Sequence, residues 1–222
     1  MSFNLEEWLS IAIDKLQKTF DEKLLFVGLQ GSYNRGEATP ESDIDLVVIL
    51  EELSFENLKQ YRQIIDEMPN KEMACGFISG KQELQNWSKA DLFQFFYDTK
   101  PLVGNLENII QSPTIEDIKK SIKTSSEDLY HAAVHSFVHS TNFAEDLQSL
   151  YKMTFFILQA KYFIKTNTYV KTKNELLECL QGINQEILNI CINRKQLNSI
   201  KKNELETLYE KLINWTSQNI IL

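Results

Sequence analysis

Residues 29–48 read LQGSYNRGEATPESDIDLVV. An apolar run, LLFVGL (24–29), ends at the left edge of this stretch, and a second, IDLVVIL (44–50), begins near its right edge. Both runs are short, rich in branched residues and bounded by turn formers, which predicts two buried strands. Between them GSYNRGEATPES predicts a loop with chemistry in it. Gly31 lets the backbone turn tightly and lets a ligand approach without a Cβ in the way. Ser32 offers a hydroxyl and a backbone N–H, and oriented N–H groups in a turn hold phosphate oxygens. Arg35 adds a planar fork of donors that fits phosphate, and Gly36 frees the chain to leave the turn. Asp43 and Asp45 follow at the start of the second run, two residues apart, so strand geometry puts them on one face. Neighbouring carboxylates repel unless a cation lies between them. Mg²⁺ resolves the conflict, because hard cations take carboxylate oxygens together with substrate phosphates. The turn thus predicts a triphosphate site, and the acid pair predicts the metal that bridges it.

Outward from this stretch the pattern stays mixed up to residue 110. Leu5, Trp8, Leu9, Ala12, Ile13, Leu16 and Phe20 have helical spacing. Ser54 caps a predicted helix over 55–68, stopped by Pro69 and Asn70. MACGFIS (73–79) predicts a third strand, with Gly76 marking a bulge or a close approach. ELQNW (83–87) predicts a short helix and LFQFFYD (92–98) a fourth strand. From Ser112-Pro113, an N-cap followed by proline at the first helical position, nearly everything has period 3.6. Helices are expected near 113–123, 126–140, 143–166, 173–181, 184–195 and 202–218. Thr172 with Glu175 forms a capping box, and LYKMTFFILQAKYFI (150–164), apolar nearly all round, predicts the centre of a bundle. The expected fold class is α+β: a small mixed-sheet domain over 1–110, followed by an all-helical bundle over 111–222.

Charge narrows the function classes. Residues 1–110 hold 10 Lys+Arg against 19 Asp+Glu, and residues 111–222 hold 13 against 12. An acidic first half disfavours a general nucleic-acid binder, which needs a basic surface to displace counterions. It suits a site that gathers a divalent cation. Cys75, Cys179 and Cys191 lack metal-ligand spacing, and their odd number argues against a full disulfide framework. With no signal-peptide pattern at residues 1–10 and no apolar stretch long enough to span a bilayer, the expectation is a cytoplasmic protein without membrane contact.

The set G-S, R-G, then S-D-x-D-L within residues 29–48 resembles the signature of the polymerase-β-type nucleotidyltransferase superfamily. The helical second half resembles the bundle that follows this domain in aminoglycoside and lincosamide nucleotidyltransferases. The resemblance implies transfer of a nucleoside monophosphate from a nucleoside triphosphate to a hydroxyl of a small molecule, such as an aminoglycoside-like antibiotic. By the same resemblance, Gly31 and Ser32 contact the phosphates, and Asp43 and Asp45 are catalytic and bind one or two Mg²⁺. Relatives of the kanamycin type build their cleft across a homodimer, which makes a homodimer an expectation by analogy. The superfamily also supplies a third carboxylate from a following strand. In MACGFIS that place holds Cys75 and Gly76. Glu72 and Asp98 are the alternatives, and a chain without a third acid reads instead as a nucleotide-binding regulatory or antitoxin-like protein.

Other residues carry weaker signals. His131, His135 and His139 stack along one helix face at four-residue spacing, without a H-E-x-x-H pattern. Glu145 and Asp146 open a long helix, where acids complement the dipole but could also serve an acceptor hydroxyl as base. Lys152, Lys161 and Lys165 fall on or near one face of the apolar helix, where snorkelling to solvent is the default. Arg194 is followed by no histidine, which argues against ribonuclease activity of the kind found in related helical toxins.

Overall fold

The two apolar runs that flank the GSYNRG turn become adjacent antiparallel strands, β1 (Leu24–Gln30) and β2 (Ile44–Leu50). The computed structural model describes residues 3–221. The chain divides into two compact units, the first ending at Ser112 and the second starting at Pro113.

In the first unit, α1 (Leu5–Phe20) leads into β1, then α2 (Gly31–Arg35), β2, α3 (Phe55–Asp66) and β3 (Ala74–Gly80). After these come α4 (Lys81–Gln85), α5 (Leu92–Tyr97) and β4 (Lys100–Val103). The described residues form one mixed sheet in the order β3-β2-β1-β4, with β2 and β3 parallel and the other pairs antiparallel. Side chains alternate along β2. Ile44, Leu46, Val48 and Leu50 pack with Trp8, Leu16 and Phe20 of α1 and Ile64 of α3. Val47 and Ile49 pack on the other face, with Phe26, Leu84 of α4 and Leu92 and Phe95 of α5. With both faces covered, the strand is a near-continuous apolar run rather than an alternating one. The Trp8 indole N–H donates to Pro69 O at 2.8 Å and pins α1 to the end of α3.

Two local expectations in this unit need correction. LFQFFYD is helix α5, not a strand. Its aromatic content favours β structure only where a pleated, half-buried surface is available. Here Leu92, Phe93 and Phe95 are all buried from a single helical turn and a half. The fourth strand is KPLV, where Pro101 is tolerated because β4 lies at an edge of the sheet. Within the expected loop, GSYNR winds into the short helix α2, closed by Gly36 at φ +71°. Gly76, at φ +128°, marks a close approach: a Cβ there would lie 2.1 Å from Leu46 O.

The second unit is α6 (Ile115–His139), α7 (Phe143–Thr166), α8 (Lys173–Cys179), α9 (Gly182–Ile192) and α10 (Lys202–Ile221). The two helices expected over 113–123 and 126–140 are one. Ile118, Ile122, Ser126, Leu129 and Ala133 form an unbroken stripe at helical spacing, with Ser126 fully buried in it. The hydroxyls at 124–126 therefore do not cap a new helix. Helix α7 supplies Leu147, Leu150, Tyr151, Phe155 and Leu158 to the core, as its all-round apolar pattern predicts. Among the described residues no helix is long and apolar enough to cross a membrane.

Candidate functional site

The strand–turn–strand unit brings Gly31 and Asp45 into contact. A methyl group at Gly31 would lie 1.8 Å from Asp45 Oδ2, inside its van der Waals surface. Gly31 also has φ +71°, which side chains adopt only with strain. Two independent constraints thus require glycine here: the conformation that starts the turn, and the seat of a carboxylate against its Cα. Asp45 pairs with Gln30 across β1 and with Cys75 across the parallel edge strand β3. It shares strand parity with Val47 and Ile49, the face covered by α4 and α5. Asp43 lies just before β2 and is exposed. It ends a loop shaped by Thr39 and Ser42, where the Thr39 N–H donates to Ser42 Oγ at 2.8 Å.

The turn itself is held from within. Gln30, at the N-cap of α2, gives no side-chain cap. Its amide instead donates to Thr99 Oγ1 at 2.5 Å and to Phe95 O at 3.3 Å. The Gln30 side chain is thus engaged with α5 and Thr99, not with the first N–H groups of the turn. Ser32 is half-buried and its carbonyl accepts from Glu37 N–H at 2.9 Å. Asn34 Nδ2 donates to Asp98 O at 2.5 Å. Arg35 Nη1 pairs with Asp98 Oδ2, and Arg35 Nε lies 3.4 Å from Glu37 Oε2. The Arg35 and Asp98 side chains are 10% and 8% exposed. A buried, charge-assisted pair of this kind ties the turn to the end of α5 and is costly to break from one side.

Of the residues expected at the site, the structure joins Gly31 with Asp45, and Arg35 with Asp98. Ser32 lies within the same turn and Asp43 at the entry to β2. Glu72 is exposed in the 3₁₀ turn before β3. Asp98 neutralises Arg35. In register with Asp45 on β3 stands Cys75, an exposed thiol. The sequence reading overlooked Gln30, Asn34, Glu37 and Thr99. The first three lie inside or beside the quoted stretch and are polar where a plain turn needs no polarity; Thr99 carries no sequence signal. His131, His135 and His139 are exposed on α6, with neighbouring ring centroids 6.2 and 4.8 Å apart. Asp146 accepts a hydrogen bond from Ser136 Oγ at 2.8 Å, and Ser136 in turn contacts Tyr209 at 2.6 Å.

Residues 11–120 match the family described as nucleotidyltransferase domain. No curated protein matches the chain. Among solved structures it is similar to spectinomycin adenyltransferase AAD(9) from Enterococcus faecialis, determined with ATP and spectinomycin. The two are 16% identical, the match covers 99% of this chain and 100% of that one, and the TM-score is 0.56. A toxin–antitoxin structure with AMP-PNP is 20% identical over 57% of this chain and 92% of that one, at a TM-score of 0.32.

Proposed function

We propose, from the premise that this chain belongs through residues 11–120 to the nucleotidyltransferase domain family, that it transfers a nucleoside monophosphate to a hydroxyl of a small molecule with Mg²⁺ as cofactor. The observation that carries the reading is the seat of Asp45 against Gly31, where no Cβ fits. A turn that needs only to reverse the chain has no reason to hold a carboxylate there. A turn that cradles phosphate next to a cation does.

The donor set fits a magnesium ion. Asp43 and Asp45 offer hard carboxylate oxygens, and the Gln30 side chain leaves the start of the turn beside them uncapped. Among the described residues no group of three or more His, Cys, Asp or Glu could enclose a metal. The remaining ligands then fall to phosphate oxygens and water, the usual manner of Mg²⁺ with nucleotides. The ion, when bound, supplies neutralisation of charge on the transferring phosphoryl group. The chain's own residues do the positioning. Gly31 and Ser32 present backbone N–H groups to the phosphates. Gln30, Asn34 and Arg35 fix the turn through Thr99 and Asp98, so that the donors need not reorganise during the reaction. Arg35, engaged with two carboxylates, acts in this reading chiefly as a positioning residue. The acceptor hydroxyl oxygen forms a bond to the α-phosphorus as the bond to the departing pyrophosphate breaks, and the hydroxyl proton passes to solvent. The shared fold with a spectinomycin adenyltransferase makes ATP and a polyhydroxylated acceptor the first pair to test.

A second reading, a nucleotide-binding regulatory protein with a weakened site, is favoured by one observation: Cys75 occupies the rung beside Asp45 where a third carboxylate would complete the acid set. Incubation with Mg²⁺, each labelled nucleoside triphosphate and a panel of aminocyclitol and aminoglycoside acceptors separates the two. Acceptor-dependent pyrophosphate release supports the transferase. Tight nucleotide binding with no release on any acceptor supports the regulatory reading.

A further inference from the structure

A cavity of about 920 Å³ lies wholly in the second unit, between the first turns of α6, the latter half of α7 and the end of α10. Its walls are apolar through Ile122, Ile164 and Ile220, and its charge is mostly basic. Lys161 is the informative residue. It rises from the bundle's central helix with its ammonium 2.5 Å from Asn219 Oδ1 and 5.6 Å from the centre of the Trp215 ring. No carboxylate among the described residues pairs with it. Burial pushes its pKa down, the mark of a cation short of counter-charge. Asn219 is 6% exposed, and its Nδ2 is buried without a hydrogen-bond acceptor. Such a donor costs free energy until an acceptor reaches it.

Around this pair Lys120 and Lys123 stand at the rim without a carboxylate partner among the described residues, whereas Lys119 is neutralised by Glu116 at 2.6 Å. Asp117, which also lines the cavity, is engaged in capping Thr114 at the start of α6. Three basic groups thus lack a carboxylate partner, over apolar walls, with an unfilled donor beneath them. We propose that this cavity is a second ligand site, for a small organic anion: a phosphate or carboxylate head held by Lys161 and Asn219, on an apolar body lying against Ile122 and Ile164. A mainly apolar pocket with a few convergent polar groups is the usual form of a small-molecule site, and its volume is of that class. The site is independent of the nucleotide-site reading, since all its residues lie in the second unit.

The test is an amide-resolved NMR titration of the full chain with phenyl phosphate, alongside benzyl alcohol as the uncharged control and Lys161→Met as the matched variant. The expected result is saturable shifts at residues 116–123, 161–164 and 219–221. The dissociation constant should be millimolar or tighter for phenyl phosphate. Lys161→Met, unchanged in circular dichroism, should bind at least tenfold more weakly. If Lys161→Met fails to fold, Lys123→Glu on the rim takes its place, with at least a threefold loss expected. Equal binding of benzyl alcohol, equal binding by the folded variant, no saturable shift, or shifts confined to residues 30–45 would each overturn the proposal.

Discussion

The two units hold buried polar groups to different ends. In the first, Gln30, Asn34, Arg35, Thr99 and Asp98 all converge on one five-residue turn. In the second, polar contacts are dispersed ties, helix to helix or helix to connecting loop: Tyr151 OH to Leu208 O, Gln159 to Val170 O, Trp215 Nε1 to Asn184. A bundle needs such ties only to register its helices, and its core of Leu, Ile and aromatic side chains supplies the stability. A turn of five residues has no core of its own. Convergence of hydrogen bonds on it therefore implies that its geometry matters for something other than folding.

That contrast can be broken by substitution. The largest effect is expected at Asp45. Asp45→Asn should lower nucleotidyl transfer by about 10²–10³-fold, the scale of losing one charge-stabilising group. The melting of neither unit should change by more than a few degrees. Gly31→Ala comes next. It collides with Asp45 Oδ2 at 1.8 Å and strains a backbone at φ +71°, so transfer should fall more than about tenfold, with a cost of about 1–3 kcal/mol confined to the first unit. Gly36→Ala is the control, with the same φ of +71° but nothing within 4 Å of the added methyl. It should cost only about 1 kcal/mol and leave the nucleotide affinity nearly intact. Arg35→Met, which takes the guanidinium away from the buried Asp98 carboxylate, should destabilise the first unit by about 3–5 kcal/mol, and Arg35→Met with Asp98→Leu should recover part of that. Denaturant titration followed by proteolytic mapping would show whether the loss stays within residues 1–112.

The smallest effect concerns alkali, and here the units should behave alike. Burial pushes the Tyr61 phenol up to about 12, with Cys75 adding to the rise, and pushes Tyr151 up as well. A raised folded-state pKa stabilises the fold fully below the unfolded value near 10, and that contribution is lost as pH rises through the folded value. Stability should thus decline between about pH 10 and 12, and Tyr61→Phe should flatten part of the decline in the first unit. A stability that stays level across that window would contradict the burial argument.

The strand–turn–strand frame of the candidate site is legible in the sequence because the spacing is local: a strand, a G-S turn and a D-x-D entering the next strand need no knowledge of distant contacts. The mixed sheet followed by helices was equally readable from the change of period at Pro113. What was hidden depends on the third dimension. Asp98 meets Arg35 from 63 residues away, and no pattern within either segment announces it. The parallel register that sets Cys75 beside Asp45 follows from the crossover through α3, not from the strand's composition. LFQFFYD misleads because a short aromatic run is buried equally well as strand or helix, and KPLV was obscured by a proline that only an edge strand admits.

Titration calorimetry with a non-hydrolysable ATP analogue tests the central claim most directly, comparing the native chain in Mg²⁺, the native chain in EDTA, and Asp45→Asn in Mg²⁺. The account predicts one binding event per chain in Mg²⁺, weakened at least tenfold by EDTA and by the substitution alike. Binding of equal strength in all three, or none in any, would contradict it.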